Sequence, residues 1–414
     1  MIEHLLTDAQ KKIVEDARAF VRDTPRQLIL DMDAETVRFP KDWLREAARR
    51  NLLGVRHPKQ WGGRGMDWVT ASAVCEEIGS LSYELACVFG VGADLVCDAI
   101  LRHGTDAQRE RYVKPLLAGE IFAAECLTEP RGGSDFFGAT TTAKDCGDHF
   151  LLNGQKRFIV GAEGADYFLV YARTNPDPKA PPQQSITCFI VDRGPGVETK
   201  YLYGLMGCRG GGTGRLVFRD VKVPRENVVG EVHGAYPVFN TMMIPERLGT
   251  AAMTVGAARP ALDVATQYSS RRKAFGQVIN RFQGVSFQVA EAATLLDASR
   301  AMVYATSRAA DEVADMDRVR RLISETKKFV TESCQKVVHN AMQVVGGIGY
   351  TNVLPLERIY RDIRLASIWT GTNEVMAMIV AHEWYREHGK HKAAKLARDY
   401  ARDAAEADAA DEII

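Results

Sequence analysis

Apolar positions along the chain follow two different periods, and the switches between them mark three segments. Over about the first 125 residues the period is helical. In DAQKKIVEDARAFVRD, Ile13, Ala17, Phe20 and Val21 fall on one stripe and predict a helix with a single inward face. Phe39-Pro40 and the loop WGGRGMD (Trp61 to Asp67) punctuate the region. The block from Thr70 to Leu101 is too apolar for a surface helix and is expected to be buried on most sides. From about Cys126 to Gly230 the pattern shortens to alternating runs, Tyr167 to Arg173, Ser185 to Asp192 and Arg215 to Val223, which predict a small β domain. Asn153-Gly154 reads as a hairpin turn, because both residues tolerate positive φ, and NPDPKAPPQQ (Asn175 to Gln184) as an exposed loop between strands. After Pro237 the helical period returns and holds to about Glu387. Val289, Ala293, Leu296 and Val303 lie on one stripe there, the pattern of a four-helix-type bundle. The Ala- and charge-rich tail from His388 reads as a frayed helix or a mobile end.

Composition narrows the classes. Lys plus Arg and Asp plus Glu each total 53, so the net charge is zero and no broad field favours nucleic acid or an anionic membrane. Hydrophobic residues make up 46%, yet no run reaches the eighteen or so apolar residues of a membrane span. MIEHLLTDAQKK resembles neither a secretion signal nor a transit peptide and reads as a cytoplasmic start or a trimmed chain. The eight cysteines are scattered without a CxxC pair, as thiols of a reducing compartment are. His382, His388 and His391 do not share one helical face, so no metal site is expected.

Three glycine-rich stretches offer backbone N–H groups to an anion: EPRGGSD (Glu129 to Asp135), CRGGGTG (Cys208 to Gly214) and VGGIGY (Val345 to Tyr350). None matches a Rossmann or P-loop fingerprint, and each alone reads more simply as a connecting turn. Arg271-Arg272-Lys273 before Phe275-Gly276 suits a pyrophosphate or, more simply, a solvated helix C-terminus.

Taken in order, these pieces resemble the acyl-CoA dehydrogenase family from about Leu5 to Trp384. LTEPRGGSD (Leu127 to Asp135) is similar to the family's flavin and acyl-CoA loop, and NGQKRFIVGAEGAD (Asn153 to Asp166) to its Asn-Gly-x-Lys-x-Trp-Ile-Thr stretch. LMGCRGGGTGRLVFRDVKVP, RRKAFGQVINRFQ, QVVGGIGY, YRDIR and GTNE (Gly371 to Glu374) complete the series. The resemblance implies an α+β, mostly α, fold: an N-terminal α domain (1–125), a middle β-barrel-like domain (126–233), a C-terminal four-helix bundle (234–390) and a charged tail (391–414). It further implies FAD, a homotetramer, an acyl-CoA substrate, and electron-transfer flavoprotein as acceptor. Leu127, Thr128, Phe158 and Val160 would line the isoalloxazine, and Ser134 would touch CoA or flavin phosphates. Arg272, Phe275, Gln283, Gln343 and Gly347 would hold the pyrophosphate and adenine across a subunit boundary, while Thr372 and Glu374 border the flavin.

Two departures alter that picture. Phe158 and Val160 stand where the family usually has Trp and Thr, which keeps an aromatic cover but removes a hydroxyl near flavin N5. The glutamate that many members carry just before the Gly-Thr pair is here Thr370, which cannot act as a base. In the branch that includes isovaleryl and long-chain enzymes the glutamate sits in a Glu-Arg pair on the first bundle helix, and MIPERLG (Met243 to Gly249) resembles that pair. Glu246 is thus implied as the base and Arg247 as its polar neighbour at the substrate. On residues alone, Pro245-Glu246 reads as an ordinary helix start, with a carboxylate favoured by the macrodipole that would lower its pKa. In the implied mechanism Glu246 removes the α-proton, and the Thr370 N–H with a flavin ribityl hydroxyl meets the enolate charge.

Ala86 stands where glutaryl-CoA members carry an arginine, which disfavours a dicarboxylic acyl group. A base on the bundle helix suits long, branched or alicyclic chains by analogy. Two alternatives stay open: other flavin or lyase chemistry on the same fold, and a non-catalytic acyl-CoA or flavin binder.

Overall fold

The computed structural model describes residues 4, 6–177 and 179–390, so the charged tail and His391 lie outside the described residues. The N-terminal region packs α1 (Asp8–Asp23), α2 (Arg26–Asp33), α3 (Lys41–Arg49), α4 (Trp68–Leu81), α5 (Tyr83–Gly90), α6 (Cys97–His103) and the short α7 (Asp106–Gln108) and α8 (Lys114–Leu117). Thr7 and Gln10 close a capping box on α1, and Asp67 caps α4 through the Thr70 N–H, so both helices begin where the sequence supplies side-chain acceptors. The apolar block after Thr70 is almost wholly buried, as its composition requires. It is not one helix, since Ser82 breaks it and a π-helical turn at Val91–Val96 separates α5 from α6.

The middle region is one sheet of β1 (Ala123–Cys126), β2 (Thr142–Asp145), β3 (His149–Ile159), β4 (Tyr167–Arg173), β5 (Ile186–Asp192), β6 (Val197–Leu202), β7 (Gly214–Pro224) and β8 (Val228–Val229). Its order is β6-β7-β3-β2-β4-β5-β8, with β1 parallel to β4. Alternate residues of β4 feed two different cores. Phe168 and Val170 enter a core internal to the sheet domain, and Tyr167, Leu169 and Tyr171 join the larger core shared with the helices. The expected hairpin at Asn153-Gly154 does not form. β3 runs straight through it with a bulge against β7, and a Cβ on Gly154, at φ +146°, would lie 2.6 Å from the Cα of Thr141. Glycine is there for close strand approach rather than for a turn.

The C-terminal region is a helical bundle: α9 (Ala235–Arg271), α10 (Gln283–Glu312), α11 (Met316–Val345), α12 (Leu356–Ile363) and α13 (Asn373–Lys390). A two-stranded hairpin, β9 (Lys273–Ala274) and β10 (Gln277–Val278), joins α9 to α10. α9 is the central element and is buried on most sides. A Cβ on Gly256 would meet the Glu76 carbonyl oxygen at 2.2 Å, so α4 and α9 touch backbone to backbone. α9 starts directly after the sheet, and its first turns cross the sheet face, where the Tyr171 hydroxyl donates to Met242 Sδ at 3.7 Å. Glu246 therefore lies about three turns inside α9, not in an opening turn. Pro245 is an interior proline, and the helix dipole does not act on Glu246.

Candidate active site

Three pieces of chain meet where the sheet, the N-terminal helices and the bundle join. The first is a ledge built around a buried ion pair. The Glu129 carboxylate accepts from the Thr140 and Thr141 N–H groups, from the Thr140 hydroxyl at 2.7 Å and from Lys156 Nζ at 2.8 Å. Burial alone would raise the pKa of Glu129, but Lys156 and the Thr140 bonds outweigh it and hold the group at about 2. Lys156 also donates to the Leu127 carbonyl at 3.1 Å, and the Arg157 N–H donates to the Thr128 carbonyl at 2.9 Å. These bonds bring Leu127 and Thr128 beside Phe158 and Val160. Phe158 stands at φ +58° with 49% of its surface exposed, an aromatic ring held outward by a strained backbone.

The second piece is Glu246 on α9. The residue is half-buried, yet its Oε2 is sealed from solvent and has no hydrogen-bond partner. Burial raises its pKa to about 7, with Arg247 and Lys327 pulling the other way. A carboxyl so placed is poised near neutrality, as a general base for a weakly acidic C–H requires.

The third is the turn into α13. Thr370 at φ +58° and Gly371 at φ +83° are both left-handed, a costly choice for a β-branched residue. Arg247 Nε donates to the Thr370 carbonyl at 3.3 Å, and buried Lys327 donates to the Gly371 carbonyl at 2.9 Å and to Asn373 Oδ1 at 3.0 Å. Thr372 accepts from the Val375 N–H at the helix start, and Glu374 is exposed in the first turn. The Thr370 hydroxyl and the Trp369 indole N–H are sealed without partners.

A cleft of about 410 Å³ is lined by Ser134, Phe239, Met243, Arg247 and Arg320 among others; Glu246 precedes Arg247 in the chain and is not itself in the lining. It joins the two residues that the sequence implied for substrate. A larger hollow, about 730 Å³, lies on the N-terminal region between Phe20, Phe39 and Trp43 and contains none of these groups. Arg272, Phe275, Gln283, Gln343 and Gly347 are not in the junction. They are exposed together at the far end of the bundle, and along α9 the run from Glu246 to Arg272 is about 39 Å at 1.5 Å per residue.

Models of the N-terminal, middle and C-terminal domains of acyl-CoA dehydrogenase match residues 7–120, 124–221 and 234–384 in that order. The caffeyl-CoA reductase-Etf complex subunit CarC of Acetobacterium woodii is 35% identical over 91% of this chain and 98% of its own. The chain belongs to the acyl-CoA dehydrogenase family. The mitochondrial isovaleryl-CoA dehydrogenase of Oryza sativa is 32% identical over 92% of this chain and 93% of that protein. Butyryl-CoA dehydrogenase from Megasphaera elsdenii superposes with a TM-score of 0.87 at 30% identity, over 92% of this chain and 99% of that one. As an acyl-CoA dehydrogenase family member the protein is an oxidoreductase with FAD as cofactor. Its residues fit that group: they include an outward aromatic at left-handed φ, a clamped ledge and two sealed, unpartnered donors. No helix among the described residues is long and apolar enough to cross a membrane.

Glu125, Lys327 and the Glu129–Lys156 clamp are not among the site residues that the sequence implies. A signal existed for two of them. Lys327 interrupts the apolar stripe Val319, Ile323, Val330 and Cys334 of α11, and Glu125 is a lone charge in the apolar run IFAAEC.

Proposed function

We propose that the protein interconverts an acyl-CoA and its 2-enoyl-CoA, with Glu246 exchanging the proton at Cα. The sealed, partnerless carboxylate oxygen of Glu246, next along α9 to the cleft residue Arg247, carries this reading. The thioester enters along Ser134 and Arg247 and lies between the ledge and α9. Glu246 takes the α-proton, and the backbone N–H of Thr370 meets charge growing on the thioester oxygen. Bound FAD supplies the hydride acceptor at the β-carbon. Leu127, Thr128, Phe158, Val160, Thr372 and Glu374 border its ring, and the dry junction strengthens every charge interaction inside it.

Arg272, Phe275, Gln283, Gln343 and Gly347 lie at the far end of the bundle from Glu246. We assign them to the pyrophosphate and adenine of a neighbouring subunit's FAD, in a homotetramer with domain limits near residues 125 and 233. The exposed Phe275, at 95%, supports a surface covered on assembly. Electron-transfer flavoprotein is the partner we assign, in line with the Etf complex in which CarC is named. A base on the bundle helix, the placement the branch with isovaleryl-CoA dehydrogenase suggests, favours wide acyl groups: long, branched or alicyclic.

A second reading keeps the site and reverses the step, so that protonated Glu246 delivers a proton to Cα of an enoyl-CoA. The names of two relatives favour it: CarC, and a 3-(aryl)acrylate reductase of Clostridium sporogenes. The test for both is anaerobic. Acyl-CoAs bleach the oxidised flavin in the first direction, enoyl-CoAs reoxidise the reduced flavin in the second, and a bound flavin that neither thioester affects would overturn the proposal.

A further inference from the structure

One half-buried carboxyl at the junction takes no part in the chemistry above. Glu125 is the third residue of β1. Its neighbours Ala124 and Cys126 turn into the core of the sheet domain, so strand alternation puts Glu125 on the other face, with Tyr167, Leu169 and Tyr171 of the adjacent β4. That face meets the helices. Glu125 Oε1 is sealed from solvent and has no hydrogen-bond partner. Glu246 approaches from α9 closely enough for the two carboxyls to repel each other, and both act on the Tyr171 phenol. The cation that acts on Glu125 is Lys156, whose ammonium is engaged by Glu129 and the Leu127 carbonyl.

Burial and then Glu246 hold Glu125 above the ordinary carboxylate range, and in either protonation state its partnerless oxygen can accept a hydrogen bond from a hydroxyl. A sealed polar atom without a partner is destabilising and calls for an explanation, and a ligand group that completes it is one. No side chain of the described residues does so.

We propose that Glu125 is a specificity residue of the same site, receiving a hydroxyl group carried on the acyl chain. This rests on the reading of Glu246 as the group facing Cα. An apolar acyl group leaves Glu125 unpaired in the complex; a hydroxylated one pairs with it, and a site built in this way discriminates strongly against the analogue that lacks the group.

The test uses the FAD-loaded protein and Glu125→Leu, with Glu125→Met as a second apolar variant and FAD content and thermal midpoint as controls of folding. Three matched pairs of thioesters are compared: butanoyl with 4-hydroxybutanoyl, hexanoyl with 6-hydroxyhexanoyl, and 3-phenylpropanoyl with 3-(4-hydroxyphenyl)propanoyl-CoA. The native protein is expected to prefer the hydroxylated member of at least one pair by about tenfold or more in kcat/KM. The apolar variants lose or invert that preference while still reducing flavin with the unsubstituted partner. Equal changes for both members would mean that Glu125 only tunes Glu246, and would overturn the proposal, as would the absence of any preference in the native protein. Failure of all six thioesters to react would sink the dehydrogenase reading and this one together.

Discussion

Arg247 Nε lies 3.3 Å from the carbonyl oxygen of Thr370, and this bond ties the helix that carries Glu246 to the turn facing it. Arg247 thus acts twice: it fixes the turn, and its charge lowers the pKa of Glu246 against the effect of burial. Replacing it with methionine removes both actions. The midpoint of the pH dependence of kcat/KM is expected to move above about 7, and KM for acyl-CoA to rise, because Arg247 also lines the cleft. A profile unchanged in position would show that the two side chains do not communicate.

Glu246 itself fixes the sign of the pH dependence. With its ionised form as the proposed base, oxidation of a saturated acyl-CoA is expected to rise with pH through about 7, while reduction of an enoyl-CoA falls over the same range. Glu246→Gln should retain FAD and lose at least about a hundredfold in rate. Its stability should change in the opposite sense. A carboxyl whose pKa is higher folded than unfolded costs stability as pH rises from about 4.5 to about 7, here on the order of 3 kcal/mol. The glutamine variant is therefore expected to melt above the native protein at pH 8 and level with it at pH 4, and scanning calorimetry at the two values checks this.

What the chain discloses before folding divides along physical lines. Periodicity reports burial of whole faces, so α1, the buried block after Thr70, β4 and the bundle were legible, and the order of motifs identified the family. Resemblance alone singles out Glu246, and its setting differs from the expected helix start: Pro245 resembles one, and nothing local shows that the sheet face already supports α9 from Ala235. Gly154 shows the same limit, since a close approach by Thr141 and a hairpin turn both ask for glycine. Long-range pairs such as Glu129 with Lys156 depend on strand register, which the sequence does not print.

That pair makes its own prediction. Both groups are buried, at 2.8 Å, and breaking one member of a buried ion pair costs about 3–5 kcal/mol because the other is left uncompensated. Lys156→Met should lower the melting temperature and release FAD, since the Leu127 carbonyl loses its donor as well. With Glu129 held at about 2 when folded, against an ordinary 4.5, the pair's contribution is present above pH 4.5 and is lost as pH falls toward 2. Acid unfolding of Lys156→Met should therefore lack the part of the pH dependence that Glu129 contributes. Equal acid sensitivity in native and variant protein would contradict the assignment.

Lys327 gives the last test, because it supports the Thr370 turn from beneath. Its ammonium donates to the Gly371 carbonyl and to Asn373, holding two left-handed residues that would otherwise relax. Burial, reinforced by Arg247, lowers its pKa to about 8, so the charged donor is lost in the range where enzymes are routinely assayed. Activity is expected to fall above about pH 8 as the turn loosens and the Thr370 N–H leaves its position, giving a bell-shaped profile with Glu246 as the acid limb. In Lys327→Met the alkaline limb should vanish and kcat drop by about tenfold or more across the range, with a smaller change in KM, since misplacement of a positioning group is felt chiefly in the reacting geometry. An alkaline limb that persists in the variant would assign that proton to another group.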